Sequence, residues 1–286
     1  MPFHTAVERG MLEHVFWKVP YEPALPLYLG LFDTDYYEMT DEPGYARVRV
    51  EPADFSWPMT GGTITNAVVI HFPEATGDWL VPAFHFGLFD SNGDIFCIDL
   101  LDTPYLIKSG DVPIFGIDTL KVKMADFQMS IDYGIMGHNA FSNYLKDRLL
   151  RHLFGKESYD PPDIWVGLLT DDPGDVLTNT NCDEVPGVGT GYSRAYVATT
   201  DWTVSMAEAW NDTKIEFDEA LADWGTIKHF ALFDTFSPLY AGNALLHGPL
   251  EIPKIVIAGS IPFFDITVPG SGAGQYDELG IGFAIV

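Results

Sequence analysis

The chain of 286 residues carries 41 acidic side chains against 15 basic ones, a formal charge of −26. Phosphate backbones and anionic lipid surfaces are held by clustered Lys and Arg, and no such cluster exists here, which excludes nucleic acid and membrane as partners. With 47% hydrophobic and 14% aromatic residues, the chain is not a disordered acidic tail either.

In chain order, Met1–Gly10 lacks the basic-then-apolar order of a secretory leader, and no run of about 20 apolar residues follows anywhere. The first element is a helix: Val7, Met11, Leu12, Val15 and Phe16 share one face at the 3.6-residue period. Thr5 and Glu8 have capping-box spacing at its start. Short strands come next. Tyr45–Val50 alternates with Ala46, Val48 and Val50 on one side, and residues 66–72 put Val68, Ile70 and Phe72 on a buried face. Ser91-Asn-Gly93, after the apolar run HFGLFD, has the chemistry of a hairpin turn.

The pattern then restarts. Residues 145–161 align without a gap to residues 7–23, with six of seventeen positions identical. The matches continue in order: 27–35 with 164–172, 44–48 with 191–195, 66–79 with 211–224, 85–90 with 229–234, and 109–115 with 258–264. Leu145, Leu149, Leu150, Leu153 and Phe154 repeat the helical face, and Gly155 suits its left-handed end. A repeat this long makes whole domains, since solenoid units run only ~20–50 residues. The expected fold is therefore mainly β: two tandem small β-sandwich domains, each preceded by one amphipathic α-helix. The first copy is expected over 1–130 and the second over 138–286, with a C-terminal extension at 269–286 and the boundary in 125–139.

Candidate chemistry is sparse. His14 with His152, and His85 with His229, recur at matching positions and read as packing positions; no nucleophile stands in a recognisable setting beside them. Cys97 and Cys182 read as free thiols, and no Cys/His spacing suits zinc. The acidic stretches at Asp33-Thr-Asp35, Asp90–Asp94 and Asp171–Asp175 read as turns, because the EF-hand positions of Gly and the distal Glu are not met. Gly187–Gly191 lacks the Gly-Lys-Ser/Thr of a phosphate loop. Trp79 and Trp224 match each other and are expected inside. Trp17, Trp57 and Trp210 have no aligned aromatic counterpart and are the candidates for surface contact. No catalytic, cofactor or metal residue is assigned.

The repeated unit resembles a family of virion structural proteins of tailed bacteriophages, described as tail-fibre or minor structural proteins. The resemblance rests on His152-Leu-Phe-Gly-Lys156, Tyr159-x-Pro161, Val166-Gly-Leu running to Pro173-Gly174, Gly191-Tyr-Ser-Arg194, Phe217-x-x-Ala220-x-x-Asp223-Trp224-Gly225 and His229-Phe-x-Leu-Phe-Asp234. Copy one departs from it, with Trp17 in place of Gly155 and Phe32-Asp33 in place of Leu169-Thr170. The resemblance implies a non-enzymatic component of a phage particle, tail-associated or capsid-decorating, that contacts other virion proteins and forms a homo-oligomer there. The alternative is a carbohydrate-binding adhesin that touches the host envelope.

Overall fold

The structure, a computed structural model, describes residues 3–56, 62–124, 140–174, 182–205, 208–237, 242–265 and 279–283. Apolar spacing at the helical period produces the two expected helices. In α1 (Thr5–Trp17) the residues Val7, Met11, Leu12, Val15 and Phe16 are buried. In α2 (Asn143–Leu153) the residues Leu145, Leu149, Leu150 and Leu153 are buried, as is Phe154 just beyond its end. The start of α1 differs from expectation. His4 is the cap: its carbonyl accepts the N–H groups of Val7 (2.8 Å) and Glu8 (3.1 Å), and Thr5 is already helical. Gly155 ends the second helix at φ 67, as its lack of a Cβ allows. Trp17 cannot take that conformation cheaply, so the left-handed residue in copy one moves on to Lys18, at φ 54.

Copy one contributes β1 (Leu27–Phe32), β2 (Val48–Val50), β3 (Thr63–Thr65), β4 (Ile70–His71), β5 (Ala83–Phe89), β6 (Ile95–Tyr105), β7 (Ile114–Phe115) and β8 (Lys121–Lys123). Copy two contributes β9 (Ala140–Phe141), β10 (Ile164–Leu169), β11 (Ala195–Val197), β12 (Trp202–Ser205), β13 (Glu208–Asn211), β14 (Ile215–Glu216), β15 (Gly225–Phe233), β16 (Ala244–Val256), β17 (Ser260–Phe264) and β18 (Leu279–Phe283). The main sheets run β2-β1-β5-β6 and β11-β10-β15-β16-β9, and every pair in them is antiparallel. Their registers repeat: Leu29 opposes Leu88 as Val166 opposes Leu232, and Tyr28 opposes Phe89 as Trp165 opposes Phe233.

Small sheets close one face of each main sheet, which makes the fold mainly β with a sandwich-like core. In copy one Phe86 meets Phe115 of β7 edge-on at 5.4 Å; in copy two Phe230 meets Phe264 of β17 at 5.6 Å. Leu29, Leu88, Cys97 and Leu168 at this layer are fully buried. The turn at Ser91-Asn-Gly93 joins β5 to β6 as expected, with Gly93 at φ 90.

Two strand expectations need correction. Val68 is 40% exposed and lies outside any strand, while Ile70 and Phe72 are buried as expected. The cause is Asn66, whose Nδ2 donates to the carbonyls of Val68 and Gly116 while its Oδ1 accepts the N–H of Leu120. Those bonds turn the chain before a ladder can begin. Asn211 does the same in copy two through the carbonyls of Thr213 and Asp265. The second correction is at Tyr45–Val50, where pairing starts only at Val48 and Ala46 is exposed. Tyr45 and Arg47 are engaged elsewhere, as shown below.

The compact units do not coincide with the two sequence copies. One holds residues 1–8, 22–125 and 147–159; the other holds 9–21, 126–146 and 160–286. Each unit thus includes the C-terminal part of the helix encoded by the other copy. In the first unit the Phe154 ring stands edge-on to Phe55 (4.7 Å) and Phe96 (5.9 Å), and a Cβ on Gly155 would lie 2.1 Å from Leu25. In the second unit Phe16 lies 4.7 Å from Trp202, and Trp17 Nε1 donates to the Trp202 carbonyl at 2.7 Å. Phe55 and Trp202 are equivalent positions, as are Phe154 and Phe16. Removing a fully buried phenylalanine costs about 3–5 kcal/mol. Phe154→Ala is therefore expected to weaken hydrogen-exchange protection in β1 and β5, and Phe16→Ala in β10 and β15. Loss of protection in each variant's own sequence copy would contradict the crossed assignment.

Candidate functional site

The Gly-Tyr-x-Arg segments at 44–47 and 191–194 build the same cluster twice. Arg47 grips Glu38 with two bonds, Nε to Oε1 and Nη2 to Oε2, both 2.7 Å. Arg194 grips Glu184 likewise at 2.8 and 2.6 Å, and its Nη1 donates to both oxygens of Thr235 at 2.9 Å. Each guanidinium also lies 3.4 Å from the centre of a phenylalanine ring, Phe89 or Phe233, an arrangement only a planar cation allows. The tyrosine completes the set: its hydroxyl donates to the glutamate (2.7 Å in both copies) and accepts a β1 or β10 N–H, from Leu31 or Leu168.

Gly30 and Gly167 make room for this. A Cβ at Gly30 would fall 2.8 Å from Phe89 and 2.9 Å from the Tyr45 hydroxyl, and one at Gly167 would fall 2.7 Å from Phe233. Gly44 and Gly191, at φ 83 and 77, pass equally close to the backbone of 74–76 and 219–221. That backbone leads to Trp79 and Trp224, which are buried as expected and donate to the carbonyls of Pro43 and Thr190. Tyr45 and Tyr192 stand edge-on to these two indoles. Asp78 and Asp223, just before them, accept the N–H of Ser109 and Ala258. In each copy the Gly-Tyr-x-Arg and Asp-Trp motifs thus pack together.

Burial alone would raise the Glu38 carboxyl, but the hydrogen bonds from Arg47 and Tyr45 outweigh it and hold it below the usual carboxylate range. Burial and the adjoining carboxylate push both phenols up. These shifts arise from a structural ion pair and point to no acid–base role.

His14, His85 and His152 are buried and His229 is half-buried, in line with packing positions. Burial pushes the Cys97 thiol up to about 12 and raises Cys182 as well, so neither is an activated nucleophile. In the Asp90–Asp94 turn the Asp90 carboxylate accepts the N–H groups of Asn92 and Asp94, the ordinary bonding of a turn. Among the described residues no group of three or more His, Cys, Asp or Glu side chains is placed to hold a metal ion. No helix there is long and apolar enough to cross a membrane.

The three tryptophan candidates are not brought together. Trp17 is half-buried with its indole N–H bonded to Trp202, Trp210 is half-buried in β13, and Trp57 lies outside the described residues. The more exposed aromatics are Tyr36 and Tyr37, at 60% and 72%. The sequence signal for them was their place beside the Asp33 turn, where copy two carries Pro173-Gly174. Glu38 and Glu184 were also missed. Their spacing to the arginine differs by one residue between the copies, which hid them from a register-based comparison.

A carboxylate lowered in the folded state binds its proton less readily there than in the unfolded chain. Its stabilisation is therefore complete above the ordinary carboxylate pKa of about 4.3 and fades as pH falls through the folded value. The first unit is expected to lose stability below about pH 4, and Glu38→Gln should flatten that part of the melting-temperature profile. Glu184→Gln leaves Arg194, whose side chain is 0% exposed, as an unanswered buried charge and should cost about 3–5 kcal/mol. Glu38→Gln should cost only about 1–3 kcal/mol, because Arg47 retains 31% exposure. Denaturant titration of the two variants checks the order.

No curated protein matches the chain. The family model for podophage GP4 fiber I protein gp80 matches it twice, over residues 2–123 and 140–268. Those stretches contain both Arg–Glu–Tyr clusters and both long hairpins, and they leave out the C-terminal segment that the resemblance also omitted. Covering well over half the chain, they show that it belongs to the podophage GP4 fiber I protein gp80 family, a family of phage structural proteins.

Proposed function

We propose that the chain is a non-enzymatic fibre component that works through protein–protein contacts along the outer strands of its two main sheets, as a homo-oligomer in the particle. The observation that supports this is a feature repeated in both copies. β6 is an edge strand, and β9 covers β16 only at Leu246 and His247. Residues 3–4 meet β6 at Phe96 and Cys97, and Ser142 bonds to Ala244 and Leu245 of β16; from there towards Tyr105 and Val256 no further outer strand pairs with either among the described residues. There they expose apolar side chains: Leu100 (62%) and Tyr105 on β6, Ile252 and Ile255 (67%) on β16. Exposed apolar edges are natural sites for association, and Pro104, Pro253, Asp99 and Asp102 on them limit indiscriminate strand pairing.

Charge supports the same reading. Chains carrying −26 repel one another at close range, so a contact between copies must be apolar or screened. Tyr105→Lys and Ile255→Lys alter exposed positions and are expected to change folding stability by less than about 0.5 kcal/mol. In purified particles the wild-type chain is expected at fixed stoichiometry by quantitative mass spectrometry, and the double variant is expected to be depleted. Wild-type chain missing from particles would defeat the structural role, and full incorporation of the variant would defeat the edge contact.

A further inference from the structure

The turn after β1 differs between the copies. Tyr36 sits at φ 64, a left-handed conformation that is rare and strained for a bulky side chain. Asp33 holds it there: its Oδ1 accepts the N–H groups of Asp35 and Tyr37 at 2.9 Å, and its own N–H donates to the Tyr37 carbonyl. In copy two Tyr36 aligns with Pro173, and the left-handed residue of the turn is Gly174, one place further on, at φ 63, the ordinary choice. Copy one thus spends strain to hold an aromatic ring where copy two has none.

That ring is not core. It remains 60% exposed while stacking on His85 at 4.2 Å, and the Nδ1 of His85 lies 2.8 Å from the Asp33 carbonyl. Tyr36 and His85 form one wall of a cleft of about 300 Å³, completed by His4, Ile95, Ile98, Asp99 and Leu100. The described residues lining it include neither Lys nor Arg. Asp99 is in the wall, and Asp33 and Asp35 flank Tyr36 in the turn.

We propose that this cleft receives a basic side chain, an arginine in the first place, presented by a protein partner in the particle. The inference rests on the structural role proposed above and names the chemistry of one partner. A tyrosine face accepts a guanidinium by cation–π stacking. Ile98 and Leu100 suit the aliphatic stem of such a side chain, whose charged head stays near water. The carboxylates and the chain's −26 charge draw cations in and turn anions away. A neutral sugar would use the ring but gain nothing from the charge.

The test uses the purified full chain and N-acetyl-arginine amide as probe, followed through the histidine ring resonances by NMR. N-acetyl-citrulline amide, the neutral isostere, and methyl glucoside serve as comparators. The arginine amide is expected to shift the His85 resonances saturably and to bind roughly tenfold more tightly than citrulline amide. Added salt should weaken it. Tyr36→Gly relieves the left-handed strain, so it should melt no lower than wild type while losing the arginine-induced shifts. No saturable shift with the arginine amide would overturn the proposal. So would equal binding of either comparator, or undiminished binding by Tyr36→Gly. Since the readout needs no particle, such a failure is distinct from absence of the chain from particles.

Discussion

An arginine side chain removed from water keeps its charge, so it must be met by a carboxylate or the fold loses several kcal/mol. Around Arg194, whose side chain is wholly buried, the whole second copy is arranged to do this: Glu184 answers the charge, Tyr192 uses a remaining lone pair of that glutamate, and the same hydroxyl takes up a β10 N–H. The ion pair thereby ties a loop to the central strand. It also dictates local sequence. Gly167 must lack a side chain, Gly191 must run left-handed, and Phe233 must present its ring face. Replacing the ion pair with apolar groups of similar shape could be neutral for stability. What the ion pair adds is a unique arrangement, because the bidentate contact with Glu184 and the bonds to Thr235 fix the guanidinium in one orientation.

Copy one repeats the arrangement in a wetter form, with Arg47 and Glu38 partly exposed. The duplicate has kept the hydrogen-bond pattern while its surroundings diverged. The helix shows the same logic. Phe55 and Trp202 are different residues in equivalent seats, each filled by a phenylalanine from the helix encoded in the other copy. A unit that needs a helix from the other copy is not complete within one sequence repeat. Duplication on one chain supplies that helix at the high effective concentration of an intramolecular partner.

The acidity belongs to both copies and so to the whole duplicated chain. Three of its sparse cations do structural work: Arg47 and Arg194 hold the clusters, and Arg151 pairs with Asp147 and Glu157 beside α2. On the outer surface carboxylates outnumber the remaining cations, several of which sit in exposed ion pairs, and apolar side chains are exposed beside them. Surfaces of that kind do not attract one another through charge, and burial of the apolar residues is the remaining driving force for contact.

Much of this was legible in the chain itself. The helical faces, the duplication, the buried Trp79 and Trp224, and the β5–β6 hairpin follow from periodicity and turn chemistry, which are local and leave regular marks in sequence. The Gly-Tyr-x-Arg motif was visible as a repeated string, but not its purpose, because its partner glutamate lies across a loop of different length in each copy. Val68 misled because alternation cannot reveal that Asn66 will satisfy backbone groups with its own side chain. The crossing of the helices left no mark at all: an amphipathic face specifies that a helix will be buried, not against which sheet. Sequence therefore determined the two helices and their buried faces, the duplication and the β-rich character of each copy. Only tertiary structure decided which unit each helix completes and which charge answers which, since those choices depend on distances between residues far apart in the chain.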